Sequence, residues 1–244
     1  MKKIGIVGGV GWQSTTEYYS QLCNLAENRN VSRGGTDIPD YPEIAIESLD
    51  LAKAVSYIGN DESDATWAAF DAYHRDALLR LTHSGAELAI IASNSGHHRF
   101  GQITSGVRIP VLNIFEVVAA NCERLGVDEV VVLGTDLTMR TPKLHQAFAE
   151  HRVHVGRLES QSRREVVALI AAIHRGHLSG AKDRISMIVR HLAGNRHMAV
   201  CLACTELPLA FPEQKGHETF EHGGVLYINT TAMHAKAAFD RANA

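Results

Sequence analysis

Two short stretches place small polar or nucleophilic residues directly after apolar runs. The stretch AELAIIASNSGHH passes from apolar residues into Ser93-Asn94-Ser95, and LACTELP passes into Cys204-Thr205-Glu206. A cysteine becomes a nucleophile or proton carrier when its pKa is lowered, and the amides and hydroxyl that follow Cys204 can have that effect. From spacing alone, Cys204 is equally consistent with a buried structural thiol. The polar residues of both stretches are candidate site residues, because they follow predicted strands and ligands of open α/β sheets bind at the carboxyl ends of strands.

The pair Cys201 and Cys204 has the C-x-x-C spacing of metal and redox sites. A zinc site would need a second pair of ligands at short spacing, and neither Cys23 nor Cys122 belongs to one. A thioredoxin-like motif lies at a helix start, whereas Cys201 lies in the middle of an apolar run. We therefore expect no metal and no disulfide exchange, with Cys201 a small core residue. Four unevenly spaced cysteines also favour a reducing compartment, the cytoplasm.

The amino-terminal KIGIVGGVGW predicts a strand followed by a glycine-rich turn, and Ser14 to Glu17 has the S-x-x-E form of a capping box that opens a helix. A dinucleotide-binding G-x-G-x-x-G motif is not matched, because Ser14 occupies the place of the third glycine. The loop amides at a helix N-terminus are nevertheless suited to binding a carboxylate. Gly9 and Val10 are therefore candidate substrate-binding residues.

Composition excludes several classes of function. The chain has 244 residues, with 24 Lys and Arg against 27 Asp and Glu, so it lacks the positive field that attracts nucleic acid. No apolar run approaches the ~18 residues of a membrane span. We expect a folded protein with neither nucleic acid nor membrane as partner. Among 14 histidines, His97 is of interest because it follows the serine-rich stretch, and we expect it at the edge of a site.

Strand-like and helix-like segments alternate, which predicts an α/β fold with parallel sheets. One segment predicts an amphipathic helix from about Asp61 to Thr82, with Trp67, Phe70, Leu78 and Leu81 among its apolar positions. The two halves correspond: IGIVGGVG matches VVVLGTD as strand and turn, and LAIIASNS matches MAVCLACT as strand and polar cluster. We expect two similar α/β lobes, the first formed by residues 1–113 plus 220–244 and the second by residues 114–219. Each lobe would deliver one polar cluster from the carboxyl end of a strand.

Three motifs in order along the chain resemble the aspartate/glutamate racemase family of cofactor-independent amino-acid racemases. GGVGWQSTTEYY is similar to the amino-terminal family motif, SNSGH to Cys-Asn-Thr-x-His, and CTELPL to Gly-Cys-Thr-Glu. The resemblance implies two Rossmann-like lobes related by a pseudo-twofold axis, with the active site in the cleft between them. It further implies an amino-acid or dicarboxylate substrate, no pyridoxal phosphate or other cofactor, and a homodimer.

The resemblance also implies a role for individual residues. Two side chains act on opposite faces of the substrate α-carbon, one removing the proton and one returning it, here Cys204 and Ser93. The carbanion is stabilised by donors to the substrate carboxylate. The positions that match the family's substrate-binding residues are Gly9, Val10, Asn94, Ser95, Thr205, Glu206 and Arg164, with Arg163 a rival for the last.

The chain departs from the family pattern at Ser93, where the first catalytic cysteine is usual. A serine hydroxyl is a much weaker acid than a thiol, so proton exchange on that face should be slow or one-directional. Two alternatives to an aspartate or glutamate racemase therefore stay open: a one-base decarboxylase or isomerase, and a protein that binds an amino acid without turnover. The residue that binds the distal carboxylate also stays open among Lys53, Arg140, Arg163 and Arg164.

Overall fold

The computed structural model describes residues 1–34, 38–61, 63–193 and 198–244. The chain forms two compact units, each with its own sheet of mainly parallel strands and its own core. The first unit comprises Met1–Asn113 and His234–Ala244, and the second comprises Ile114–Met233. No helix among the described residues is long and apolar enough to cross a membrane.

The first unit alternates strands and helices. Its elements before residue 114 are β1 (Ile4–Gly8), α1 (Trp12–Ser32), β2 (Ile44–Ser48), α2 (Leu51–Ser56), α3 (Asp64–His83), β3 (Leu88–Ile91), a 3-10 helix (Ser95–Arg99) and α4 (Phe100–Thr104). The strands pair in parallel in the order β2-β1-β3, and Val111 adds a parallel bridge to Ala89 in β3. The alternation that predicted a parallel α/β fold is confirmed here.

Helix α1 begins at Trp12, with Gly11 as its N-cap at φ 99°. The expected capping box at Ser14 and Glu17 is therefore wrong, because both residues lie inside the helix and are buried. A glycine takes the cap position because this backbone conformation is open to glycine and strained for other residues.

Helix α3 covers the sheet with the apolar face that its sequence pattern predicted. Trp67, Phe70, Leu78 and Leu81 are all at most 4% exposed. Residues that recur three or four positions apart lie on one face of a helix, which explains why these side chains are buried together. The same face also carries polar residues that bear on the candidate site described below.

The second unit repeats this plan and extends it. Its elements are α5 (Ile114–Arg124), β4 (Glu129–Gly134), α6 (Asp136–Arg140), α7 (Pro142–Glu150), β5 (His154–Gly156), α8 (Ser160–His174), α9 (Ala181–Ala193), β6 (Ala199–Ala203), 3-10 helices at Leu207–Ala210 and Pro212–Gln214, β7 (Thr219–His222), β8 (Val225–Asn229) and α10 (Thr230–Asn243). The strand order is β5-β4-β6-β8-β7. All pairs are parallel except the β7–β8 hairpin at the edge.

The two sheets place corresponding strands in corresponding positions. β1 lies between β2 and β3, and β4 lies between β5 and β6, so the two strands that precede the polar clusters, β3 and β6, adjoin β1 and β4 respectively. The chain returns to the first unit at His234 rather than at the expected residue 220. The return is later because β7 and β8 pair with the second sheet, and only the larger part of α10 joins the first core, through Ala235, Ala238 and Phe239.

Candidate active site

The serine cluster, Ser93-Asn94-Ser95, follows β3 directly and leads into the 3-10 helix Ser95–Arg99. β3 is buried throughout, so the chain emerges from the core at this point. Asn94 is 5% exposed, while Ser93 and Ser95 are half-buried. The cluster therefore presents hydroxyl and amide groups at the carboxyl end of β3, where the sequence predicted a ligand site.

A buried ion pair holds the turn that follows the serine cluster. The Arg99 guanidinium donates to Asp71 of α3 through Nε, at 3.1 and 3.2 Å from the two carboxylate oxygens, and through Nη2 at 2.7 Å. Nη2 also donates to Asp64 at 2.7 Å. The side chains of Arg99 and Asp71 are each 8% exposed, whereas that of Asp64 is 79% exposed. Arg99 thus ties the end of the 3-10 helix to α3.

His97, which the sequence placed at the edge of the site, has a buried side chain next to the serine cluster. Its imidazole is 1% exposed, and its Nδ1 donates to the main-chain carbonyl of Ser93 at 2.8 Å. The ring stacks on Phe100 with centroids 5.5 Å apart. Burial lowers the pKa of His97 to about 4, so the ring is neutral at neutral pH. His97 therefore lies behind the serine cluster, within the core of the first unit.

The glycine loop after β1 packs against the end of β2. Gly9 has φ 85°, and a Cβ on this residue would overlap the main-chain nitrogen and oxygen of Leu49. The Gly9 amide donates to the Thr15 hydroxyl at 2.9 Å. The loop therefore packs closely against the Leu49 backbone at Gly9, and the Gly9 amide is bonded to Thr15. The neighbouring Val10 is half-buried. The loop lies at the carboxyl end of β1, next to β3 in the same sheet.

The cysteine cluster, Cys204-Thr205-Glu206, follows β6 and is buried, with each residue 6 or 7% exposed. The Cys204 thiol donates to Glu206 Oε2 at 2.9 Å, and the Thr205 hydroxyl donates to the same oxygen at 3.0 Å. His174, at the end of α8, has its Nδ1 3.4 Å from Glu206 Oε1. A carboxylate thus lies within proton-transfer distance of the thiol.

The pKa of Cys204 is raised well above its ordinary value, first by burial, then by the charge of Glu206 and the hydrogen bond to it. The expectation that the following residues lower this pKa describes only a smaller effect, the hydrogen bonds from the Thr205 and Glu206 amides. Free Cys204 is therefore a thiol at neutral pH. To act as a base, it must first pass its proton to an acceptor, and Glu206 is placed to take it.

The basic candidates differ in exposure. Arg164 is exposed on α8, whereas its rival Arg163 is half-buried, with Nη2 3.3 Å from the Ser160 hydroxyl. Arg140 forms an exposed ion pair with Asp136 at 2.7 Å. Lys53 is exposed on α2.

Cys201 is a core residue, as the sequence suggested: it is 1% exposed inside β6. All four cysteines are free thiols. Within the part of the chain that the structure describes, no group of three or more His, Cys, Asp and Glu residues is arranged to hold a metal ion.

Several residues around the clusters were missed by sequence reasoning. They are Tyr18, Asp64, Asp71, Arg99, His174 and His234, which form side-chain hydrogen bonds with one another or, in the case of His174, with Glu206. Arg99 and Asp71 are 28 positions apart, and Tyr18 and His234 are 216 positions apart. Only Asp71 carried a local signal, since a charged residue on the apolar face of α3 requires a partner.

The comparisons with known proteins identify a family. The family model for Asp/Glu/hydantoin racemases matches residues 7–238. An aspartate racemase homologue from Pyrococcus horikoshii is 27% identical, with a TM-score of 0.77 and both chains covered completely. A putative Asp/Glu racemase from Yersinia pestis is 24% identical, with a TM-score of 0.80 and again complete coverage of both chains.

A more distant structure shares the fold. Glutamate racemase from Francisella tularensis in complex with D-glutamate is 15% identical, with a TM-score of 0.61, over 98% of this chain and 80% of the other. The family model spans both units and both polar clusters, so the resemblance seen in the three sequence motifs is confirmed. The chain belongs to the Asp/Glu/hydantoin racemase family.

Proposed function

We propose that the protein is a racemase of an acidic amino acid, aspartate or glutamate, that works without pyridoxal phosphate. Cys204 exchanges the α-proton on one face of the substrate and Ser93 exchanges it on the other. The observation that carries this proposal is the hydrogen bond of 2.9 Å from the buried Cys204 thiol to the Glu206 carboxylate. It supplies a thiol with an adjacent proton acceptor, the arrangement that an activated cysteine needs.

The proposed proton transfers balance as follows. The Cys204 thiol gives its proton to Glu206, and the resulting thiolate removes the α-proton of the substrate. The Ser93 hydroxyl then donates a proton to the opposite face of the carbanion. Solvent reprotonates the Ser93 alkoxide, and Glu206 releases its proton to solvent, which restores the starting state. Asn94, Ser95 and Thr205 would donate to the substrate carboxylate and stabilise the negative charge of the carbanion.

Ser93 should make the rates of racemisation in the two directions unequal. A hydroxyl is a much weaker acid than a thiol, so the step at Ser93 should be the slow one. This observation favours a second candidate function, a one-base enzyme that uses Cys204 alone to protonate a carbanion, for example after decarboxylation of a dicarboxylic acid. The two candidates differ in whether the product is inverted at the α-carbon.

The test is to incubate the protein with each enantiomer of aspartate and glutamate in deuterium oxide. Proton NMR follows loss of the α-proton, and chiral chromatography follows inversion. A racemase places deuterium in both enantiomers. Exchange in one enantiomer without inversion would support the one-base enzyme instead. If no acidic amino acid exchanges its α-proton, the racemase proposal is wrong.

Two variants test the residue assignments. Cys204→Ala should lower the rate of α-proton exchange at least about 100-fold, as expected for loss of a general acid–base group. Ser93→Cys should raise inversion, because a thiol returns the proton more readily than a hydroxyl. An unchanged inversion rate in a folded Ser93→Cys protein would show that Ser93 is not the second acid.

The distal carboxylate of the substrate needs a cation, and we propose Arg164 with Arg163 as its rival. Measuring KM for Arg163→Gln and Arg164→Gln decides between them, because a rise in KM in only one variant identifies the residue that contacts the carboxylate.

We also propose that the active form is a homodimer. Sedimentation equilibrium should then give twice the chain mass of 26.6 kDa.

A further inference from the structure

The serine cluster is backed by a buried group of aromatic and imidazole side chains that the proposed proton transfers do not use. Tyr18, His97 and His234 are each at most 1% exposed, and they come from α1, the 3-10 helix Ser95–Arg99 and α10. The His97 and His234 rings meet edge to face with centroids 5.6 Å apart. Three separate parts of the chain therefore converge behind Ser93.

The hydrogen bonds of this group assign a donor and an acceptor to each ring nitrogen of His234. Nε2 lies 3.2 Å from the Leu112 carbonyl oxygen, which can only accept, so Nε2 carries the proton. Nδ1 then accepts from the Tyr18 hydroxyl at 2.9 Å. Both ring nitrogens of His234 are thus hydrogen-bonded, which holds the ring in one orientation. The His97 ring packs against it.

The same reasoning fixes the proton on His97. Its Nδ1 lies 2.8 Å from the Ser93 carbonyl oxygen, so Nδ1 must be the protonated nitrogen. Phe100 stacks on the ring with an interplanar angle of 8°. The ring therefore has little freedom to turn away, and its N–H remains directed at the backbone of Ser93.

We propose that His97 is the positioning residue of the serine cluster, holding the Ser93 backbone by its Nδ1–H so that the Ser93 hydroxyl and the Asn94 amide keep one orientation. This inference rests on the proposed function, because it assigns His97 to the Ser93 side of the reaction. It separates the two sides of the reaction: a defect at His97 should impair proton return by Ser93 and spare proton removal by Cys204.

The test compares two substitutions at His97, one that keeps the hydrogen-bond donor and one that keeps more of the side-chain volume. His97→Asn keeps an N–H donor at the place of Nδ1 but leaves part of the ring volume empty. His97→Leu fills more of the volume but has no donor. If the hydrogen bond matters, the leucine variant is the more impaired; if only packing matters, the asparagine variant is.

Each variant is assayed with both enantiomers in deuterium oxide, with Ser93→Ala as the reference. We expect His97→Leu to lower inversion at least about tenfold, since misplaced catalytic groups cost one to two orders of magnitude. The rate of proton loss from the enantiomer whose α-proton faces Cys204 should change less than about twofold, as in Ser93→Ala. His97→Asn should retain most of the inversion. Parallel loss of both readouts, or greater damage in His97→Asn, would overturn the proposal.

A measurement on the unmodified protein keeps the proposal testable if the leucine variant does not fold. Nitrogen-15 NMR of histidine-labelled protein reports the tautomer of each ring, and the His97 signal is the one absent from His97→Asn. We expect protonated Nδ1 at neutral pH, and a protonated Nε2 with bare Nδ1 would refute the inference. If the unmodified protein exchanges no α-proton, the proposed function fails, whereas exchange without the expected pattern in the variants refutes only the role of His97.

Discussion

The ion pair of Arg99 with Asp71 offers the clearest test of how the serine cluster is held. In Asp71→Asn the guanidinium keeps a hydrogen-bonding neighbour but loses its buried counter-charge. Breaking a buried pair by removing one partner costs roughly 3–5 kcal/mol, because the remaining charge stays buried and uncompensated. The two side chains here are each only 8% exposed, and Asp64 still pairs with the guanidinium, so the lower end of this range applies.

Asp64→Asn is the matched control for this substitution. Asp64 contacts the same Nη2 atom at the same distance of 2.7 Å, but its side chain is 79% exposed. Exposed pairs contribute about 0–1 kcal/mol. For a chain of this size, 1 kcal/mol corresponds to roughly 2–4 °C in Tm. We therefore expect Asp71→Asn to lower Tm by about 6 °C or more and Asp64→Asn by about 4 °C or less.

Differential scanning calorimetry measures both values under identical conditions. The same samples are assayed for inversion in deuterium oxide below the melting transition. If the ion pair positions the serine cluster, Asp71→Asn also lowers inversion while proton loss at Cys204 persists. Equal Tm changes in the two variants would refute the argument, because burial would then not decide the strength of the pair.

Three further predictions concern the glycine loop, the cysteine cluster and the buried imidazoles. Gly9→Ala should reduce stability more than Gly106→Ala, measured by urea unfolding, because both residues have positive φ but only Gly9 would clash with a neighbouring backbone. Glu206→Gln removes a charge that raises the pKa of Cys204, yet it also removes the proton acceptor; we expect exchange to fall about 100-fold, and a faster rate would show that Glu206 acts only through its charge. Burial lowers the pKa of His97 to about 4 and that of His234 to about 3, so between pH 6.5 and 4 the unfolded chain binds protons that the folded chain does not. Stability should therefore fall by about 1.4 kcal/mol per pH unit for each imidazole as the pH drops below 6.5, and a urea midpoint unchanged between pH 7.5 and 5.5 would contradict this.

The local features of the sequence predicted a large part of the fold. Apolar periodicity identified the buried face of α3, and the polar residues after β3 and β6 were correctly placed at strand ends. These features depend on neighbours within a few positions, where spacing alone determines which side chains share a face. The S-x-x-E pattern at Ser14 misled because Gly11, three residues earlier, already caps the helix.

Features that join distant parts of the chain were not predictable in the same way. The hydrogen bond between Tyr18 and His234 links residues 216 positions apart, and no spacing rule relates them. His97 was expected at a site edge because it follows the serine cluster, but spacing did not reveal that its ring is buried and hydrogen-bonded to the Ser93 carbonyl. The return of the chain at His234 was likewise hidden, since the β7–β8 hairpin reads equally well as part of either sheet.

The difference between the two polar clusters extends beyond the first residue. Glu206 stands two positions after Cys204, whereas Ser95 stands two positions after Ser93, so the cysteine has an adjacent carboxylate where the serine cluster has a hydroxyl. A thiol introduced by Ser93→Cys would be half-buried and would lack the adjacent carboxylate that raises the pKa of Cys204. It should therefore ionise more readily than Cys204, so the two thiols would differ in how readily each gives up its proton. Two-base racemisation requires one deprotonated and one protonated group, so the single substitution should raise inversion in both directions.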